Sequence, residues 1–223
     1  MTLTIQQWLT VGVAITGVLT QLFIAFLGRR QVRKQLDLQH LVSHRTTATF
    51  VADKRQKWID ELRTDMAFHL ALSQEIVWKW DAMRDRTALR VQEEATDANG
   101  VVNGKKADRI RQEAADTFSP ENGARDREHQ ERHIRLLFRL NPEEQLHVRL
   151  RECLGAIRHV LNKTQSAKSE DDARKFIGET LQLVEQAQSY TEAILKAEWT
   201  RVKHEVAYPE TLMETIPKPE NRK

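Results

Sequence analysis

The chain has 223 residues, and its 35 Lys and Arg nearly balance its 32 Asp and Glu, leaving a net charge of +3. With charges this balanced, net charge alone does not indicate that the chain binds nucleic acid. Only 8 Gly and 5 Pro accompany 30% charged residues, a composition that favours helices over a sheet. The single cysteine, Cys153, cannot form an internal disulfide, which agrees with a reducing cytoplasmic setting.

The first predicted element is a membrane-spanning helix over 5–27, a run without a charged side chain. About 20 apolar residues suffice for a helix to cross the ~30 Å hydrocarbon core. Four basic residues follow the run, and the positive-inside rule then places the N-terminus outside and the rest in the cytoplasm. These membrane-anchoring residues are Arg29, Arg30, Arg33 and Lys34. A cleaved signal peptide is the alternative, but arginines stand where cleavage would fall.

The predicted span, assigned to 1–28, has a polar stripe along one side. At 100° per residue the stripe falls within about 60°, with Thr20 at its edge, and the opposite arc is apolar. Lipid offers nothing to a glutamine at the depth of Gln21, so the stripe is expected to face protein or water. It therefore predicts either self-association or a water-lined pore. The stripe consists of Gln6, Thr10, Gly17, Gln21 and Gly28.

A juxtamembrane stalk is predicted over 29–49. Three of the four residues at 46–49 are threonines, whose β-branched side chains lower helix propensity, so a bend or short break is expected there. Whether 29–95 forms one helix or two stays open. A cytoplasmic helical bundle over 50–207 follows, opened by an amphipathic helix at 50–84.

The segment 88–123 is predicted to be an insertion or mobile flap. Its centre, 96–104, contains two Asn-Gly pairs and is predicted as an exposed loop, with a short hairpin tip as the alternative. A polar helix at 105–118 is then expected to end at a second break over 119–123, where Pro120 and Gly123 lie.

The remaining predicted elements are three helices and a tail. Helices are expected over 125–140, over a segment ending near Asn162, and over 171–206, with Ser169 as the cap of the last. Asn141, Pro142 and Glu144 predict a capping box between the first two. The tail 208–223 is expected to be flexible. The predicted fold is all-α, with an N-terminal transmembrane helix followed by a cytoplasmic up-and-down bundle.

Candidate chemistry is sparse. Three Arg–His pairs have the spacing that helical nucleases of the HEPN type use: Arg33–His40, Arg63–His69 and Arg127–His133. Chance produces such pairs in an arginine-rich chain, so these residues are weak catalytic candidates. His129 and His133 are four apart and could share a metal, but nearby arginines would repel a cation. No metal, cofactor or enzymatic activity is predicted.

Two stretches carry a resemblance. They are KRQKWIDELR at 54–63 and IRLLFRLNP at 134–142. Behind an N-terminal membrane helix, they resemble an uncharacterised group of bacterial and prophage single-pass membrane proteins. The resemblance implies a structural rather than catalytic role for both stretches.

The overall plan is also similar to the membrane accessory protein of type VI-B CRISPR systems. The likeness lies in the architecture, the size and the polar stripe. In that family, subunits form a ring whose N-terminal helices line a membrane pore that aids antiphage defence. The resemblance implies a homo-oligomeric pore at the inner membrane. Two alternatives stay open: a membrane-tethered scaffold or sensor that binds a cytoplasmic protein, and an anchored HEPN-like ribonuclease.

Overall fold

The computed structural model describes residues 5–167 and 169–215, with side chains described from residue 16 onward. Its regular elements are all helices, so the predicted all-α class is confirmed, as is the helical bundle. The helices are α1 (Ile5–Ala95), α2 (Gly104–Arg139), α3 (Gln145–Gln165), α4 (Glu170–Ala207) and α5 (Pro209–Thr215).

The chain divides into two compact units. The bundle unit is Lys54–Val202, and the terminal unit combines Met1–Asp53 with Lys203–Lys223. In the terminal unit, the described residues 16–40 are all exposed, whereas Ala48, Ala52, Pro209 and Leu212 are buried. Within the tail 208–223, which was predicted to be flexible, residues Pro209–Thr215 form α5, and 216–223 lie outside the described residues.

Helix α1 runs without interruption through 46–49, so the predicted break does not occur. The hydroxyls of Thr46, Thr47 and Thr49 each donate to the carbonyl four residues earlier, at 2.9, 3.0 and 2.9 Å. Such bonds let a threonine hydroxyl be satisfied within a helix. The weak propensity of this segment is therefore overridden.

Helix α2 also continues where a break was predicted, with Pro120 inside it. Proline removes one helical hydrogen bond, so contacts on either side must hold the helix. Before the proline, Phe118 packs edge-on against Trp80 of α1 at 4.8 Å. After it, Arg125 donates to Glu75 of α1 at 2.7 Å.

The segment 88–123 packs on itself. Ala95, Ala107 and Ile110 form a small buried cluster, with Val91 against it. The loop between α1 and α2 is exposed as predicted, and the hairpin tip amounts to one bridge between Thr96 and Val102.

Helix starts follow the predicted caps in one of two cases. The amide of Asp172 donates to Ser169 Oγ at 3.1 Å, which confirms Ser169 as a cap. The capping box at 141–144 is wrong, because α3 begins only at Gln145. Asn141 Oδ1 instead accepts the amide of Glu143 at 3.0 Å, closing a turn before the helix.

The core of the bundle unit joins α1, α2, α3 and α4. Cys153 belongs to it as predicted, and burial raises the pKa of its thiol. The largest fully buried core side chains are Leu62, Ile76, Val77, Leu136, Leu140, Leu150, Leu154, Ile157 and Ile194.

Within the part of the chain whose side chains are described, we find no helix both long and apolar enough to span a membrane. Residues 5–15 of the predicted span lie outside that part.

Candidate functional site

Three buried histidines meet between α1 and α2. His69 of α1 is 0% exposed, and its ring stacks on that of His129 of α2 with centroids 4.1 Å apart. The ring of His133, one turn further along α2, lies 5.6 Å from that of His69. Together with Ser73, which is also buried, these residues are named the histidine cluster.

Ser73 fixes the tautomer of one ring. Its hydroxyl donates to the carbonyl of His69 at 2.8 Å and lies 2.9 Å from Nε2 of His129. A hydroxyl has a single hydrogen, so Nε2–H of His129 must donate to Ser73 Oγ. Among the described residues, by contrast, no hydrogen bond of normal geometry reaches either ring nitrogen of His69 or Nδ1 of His133.

The cluster is neutral at physiological pH. Burial lowers the pKa of His69 to about 2, and the neighbouring His129 and His133 add to the shift. Burial likewise lowers the pKa of His129 to about 4, with contributions from His133 and Arg158. The pKa of His133 is lowered by burial and then by Arg158 and Arg151. A proton donor or acceptor near neutrality needs a pKa close to the working pH, and burial moves the pKa values of His69 and His129 well below it.

The cluster does not have the arrangement of a metal site. Across the described residues, no group of three His, Cys, Asp or Glu side chains is placed to hold a metal ion. The stacking of His69 on His129 sets ring faces, rather than ring nitrogens, against each other. What the arrangement can do is accept protons when the chain is acidified.

An ion-pair network lies one to two turns before the cluster on α1. Asp65, 3% exposed, pairs with Arg132 at 2.6 Å and with Arg139, both of α2. Arg139 also pairs with Glu61 at 3.1 Å. The guanidinium of Arg132 lies over the ring of Phe68, 5.0 Å from its centroid. A carboxylate this deeply buried needs such partners to stay charged.

The Arg–His pairs do not assemble a nuclease site. Arg63 is exposed and pairs with Asp60 at 3.1 Å, while His69 is fully buried. Arg127 is exposed while His133 is buried. In the terminal unit, Arg33 and His40 are both exposed. Thus in the two pairs of the bundle unit, the arginine faces solvent and the histidine faces the core.

The predicted pore or oligomer face is only partly described. The side chains of Gln6 and Thr10 lie outside the described residues, whereas the remaining members are exposed. Thr20 donates to the carbonyl of Thr16 at 2.8 Å. The exposed residues of this face are Gly17, Thr20, Gln21 and Gly28, and the basic residues Arg29, Arg30, Arg33 and Lys34 are exposed as well.

The two stretches that carry the resemblance contact each other. Trp58 Nε1 donates to the carbonyl of Arg139 at 3.3 Å, and the ring of Trp58 stacks on that of His147 at 6.0 Å. The guanidinium of Arg139 in turn donates to the carbonyl of Glu61 at 3.1 Å. Both stretches therefore serve the same α1–α2 interface.

Two buried residues of this interface, Asp65 and Ser73, were not predicted from the sequence. Asp65 and Ser73 fall on the face of α1 that Leu62, Met66 and His69 mark at helical spacing. A carboxylate on a core face requires buried cationic partners, and this was the signal that could have found Arg132 and Arg139.

Comparison with protein-family models, with curated proteins and with solved structures finds no match to this chain.

Proposed function

We propose that the chain is a self-associating inner-membrane protein with its helical bundle in the cytoplasm. The observation that carries the proposal is the apolar surface of α1 between residues 16 and 27. Apart from the polar stripe, large apolar side chains cover most of the circumference of the helix there, and they are about half to two-thirds exposed. They are Val18, Leu19, Leu22, Phe23, Ile24, Phe26 and Leu27.

The finer proposal is an oligomeric pore that acts in bacterial antiphage defence, as the resemblance implies. Two features support it. Gln21 is exposed among apolar neighbours, and a side chain added at Gly17 or Gly28 would meet nothing within 4 Å. Small residues let membrane helices approach closely, and a polar residue beside them can pair across subunits or line water.

A scaffold that holds a cytoplasmic protein at the membrane is the second candidate. It is favoured by apolar side chains left exposed on the bundle unit. Phe138 is 86% exposed and Trp78 is 52% exposed, and both would suit a protein partner. The ribonuclease hypothesis gains no such support, because the histidines of its two bundle pairs are buried.

The test is dye leakage from liposomes that contain the full-length chain. Gln21→Leu is expected to abolish leakage while leaving the mass of the detergent-solubilised assembly unchanged. The matched control is Gln31→Leu, which makes the same chemical change at an exposed position beyond the span and should leak like the wild type.

Two outcomes would contradict the proposal at different levels. A monomeric wild type removes self-association, and with it the pore. Leakage by Gln21→Leu at the wild-type rate removes the pore and leaves the scaffold, which then predicts full function after the span is exchanged for an unrelated membrane helix.

A further inference from the structure

A groove of about 620 Å³ lies in the bundle unit, where the end of α1 meets the start of α2. Its walls include Trp80, Met83, Arg84, Val91, Val102 and Arg111. Part of it therefore comes from 88–123, the segment that the sequence marks as an insertion. Small organic ligands occupy cavities of about 300–1,000 Å³, so the volume suits one such molecule.

Arg84 gives the groove an uncompensated positive charge. Its guanidinium is half-buried, and no carboxylate among the described residues forms an ion pair with it. Burial lowers the pKa of Arg84, and Asp81 and Asp85 only partly oppose that shift. A second cation, Arg111, reaches the groove from α2 and pairs at its exposed end with Asp108 at 2.8 Å.

Two donors in the groove wall have no hydrogen-bond partner in the described part of the chain. They are Nη1 of Arg84 and Nε1 of Trp80. Nη2 of Arg84 donates to the carbonyl of Thr164, which holds the side chain in place. Both atoms are shielded from solvent, and buried donors are rarely left unpaired, so an acceptor brought close to this wall would be favoured there.

The rest of the lining combines apolar side chains with the polar side chains of Thr87, Gln92, Thr96 and Gln165. Met83, Ala88, Val91, Val102 and Ala115 contribute hydrocarbon surface, and the Trp80 ring adds an aromatic wall. One further lining residue, Gln165, donates to Asp126 at 3.2 Å, and burial raises the pKa of that carboxyl. An anionic head is therefore expected beside Arg84 and Arg111, and an apolar body along the α1 wall.

We propose that this groove binds a small organic anion, a phosphate or carboxylate carried on a flat or apolar body, with Arg84 and Trp80 as the donors to its head. Charge-assisted hydrogen bonds from an arginine to such a head are stronger than neutral ones and fix its orientation. The inference is independent of the membrane function proposed above.

The test is isothermal titration calorimetry of the purified full-length chain with 1-naphthyl phosphate, which combines both halves of the expected ligand. Inorganic phosphate lacks the apolar body and 1-naphthol lacks the charge, so each is expected to bind at least about tenfold more weakly. Arg84→Gln should weaken the binding of naphthyl phosphate by about tenfold or more. The matched control is Arg86→Gln, an exposed arginine on the same helix, which should bind like the wild type.

A second variant guards against a folding defect in Arg84→Gln. Trp80→Phe removes the indole N–H but keeps an aromatic ring against Phe118. This variant should bind naphthyl phosphate several-fold more weakly, while its thermal unfolding followed by circular dichroism stays unchanged. No detectable binding by the wild type overturns the proposal. Equal affinities of Arg84→Gln and Arg86→Gln overturn it as well, as does an unaltered affinity in Trp80→Phe.

The head could belong to a soluble metabolite or to a lipid, and competition separates these sources. Phosphatidylcholine vesicles with phosphatidate displace naphthyl phosphate if the ligand is a lipid headgroup, and pure phosphatidylcholine vesicles do not. If naphthyl phosphate stays bound to the protein in the presence of either kind of vesicle, the natural ligand of the groove is a soluble molecule.

Discussion

One helix, α1, carries two regions with opposite surroundings. Over 16–40 every residue is exposed, whereas over 54–77 buried residues are interspersed with exposed ones. Leu22 is 62% exposed and Leu62 is 0% exposed, although both are leucines within the same helix. Because the helical backbone is the same at both positions, their difference in exposure comes from what packs against each side chain.

The two regions differ in how their apolar residues are distributed. In 54–77, buried residues recur every three or four positions, as at Ile59, Leu62, Met66 and His69. This is the stripe of a helix that packs on one side. In 16–27 the apolar residues cover most of the helix circumference and leave a narrow polar stripe at Gly17 and Gln21.

The largest effect should come from Asp65, the buried charge of the second region. Asp65→Ala leaves Arg132 and Arg139 without their shared partner, and the free energy of unfolding should fall by about 3–5 kcal/mol. Asp60→Ala removes an exposed partner of Arg63 on the same helix and should change the free energy of unfolding by no more than about 1 kcal/mol. Urea unfolding followed by circular dichroism measures both. Similar losses in the two variants would show that burial of the network is unimportant.

The two leucines test the comparison directly. Leu62→Ala opens a cavity in the core and should lower the free energy of unfolding by about 2–5 kcal/mol. Leu22→Ala should leave the unfolding of the bundle unchanged within about 0.5 kcal/mol, because Leu22 is 62% exposed. Denaturant midpoints report both. A loss at Leu22 as large as that at Leu62 would place the exposed region within the cooperative fold.

Acidification should lower the free energy of unfolding through the histidine cluster. Histidines in an unfolded chain have a pKa near the ordinary value of 6.5, whereas burial in the fold lowers the pKa of His129 to about 4 and that of His69 to about 2. Below 6.5 the unfolded chain binds protons that the fold excludes. The stability present above pH 6.5 is therefore lost as pH falls, by about 1.4 kcal/mol per pH unit for each such histidine down to its folded pKa.

The measurement for the cluster is the free energy of unfolding between about pH 7 and pH 5. His69→Phe replaces a ring that lacks normal hydrogen bonds with an apolar ring, and it should reduce the pH slope by about 1.4 kcal/mol per unit. His159→Ala, an exposed histidine of α3, is the control and should leave the slope close to that of the wild type. A slope in His69→Phe equal to that of the wild type would refute the buried, neutral state.

Much of the fold was readable from the sequence, because its signals are local. The helical period of the core positions, the loop around Gly100 and the cap at Ser169 depend on a few neighbouring residues. The breaks predicted at 46–49 and at Pro120 failed for different reasons. The threonines are satisfied by bonds within the helix, whereas Pro120 is flanked by contacts from α1 that a single helix does not reveal.

The histidine cluster could be predicted only in part. The spacing of His129 and His133 indicated a shared face of α2, and this proved correct because both are buried. That His69 would meet them depends on how α1 and α2 are aligned, and the 59 residues between His69 and His129 do not specify this alignment locally. The same holds for Asp65 and its arginines, which lie far apart along the chain.

The ion pair between Arg55 and Glu198 has a consequence for synthesis on the ribosome. The two residues are 143 positions apart, and their atoms lie 2.7 Å from each other in the finished fold. At about 5–20 residues per second, Glu198 is made on the order of ten seconds after Arg55. During that interval the face of α1 that bears Leu62 and Met66 has no α4 to pack against. On the nascent chain this apolar face stays uncovered by α4 until the last long helix completes the bundle core.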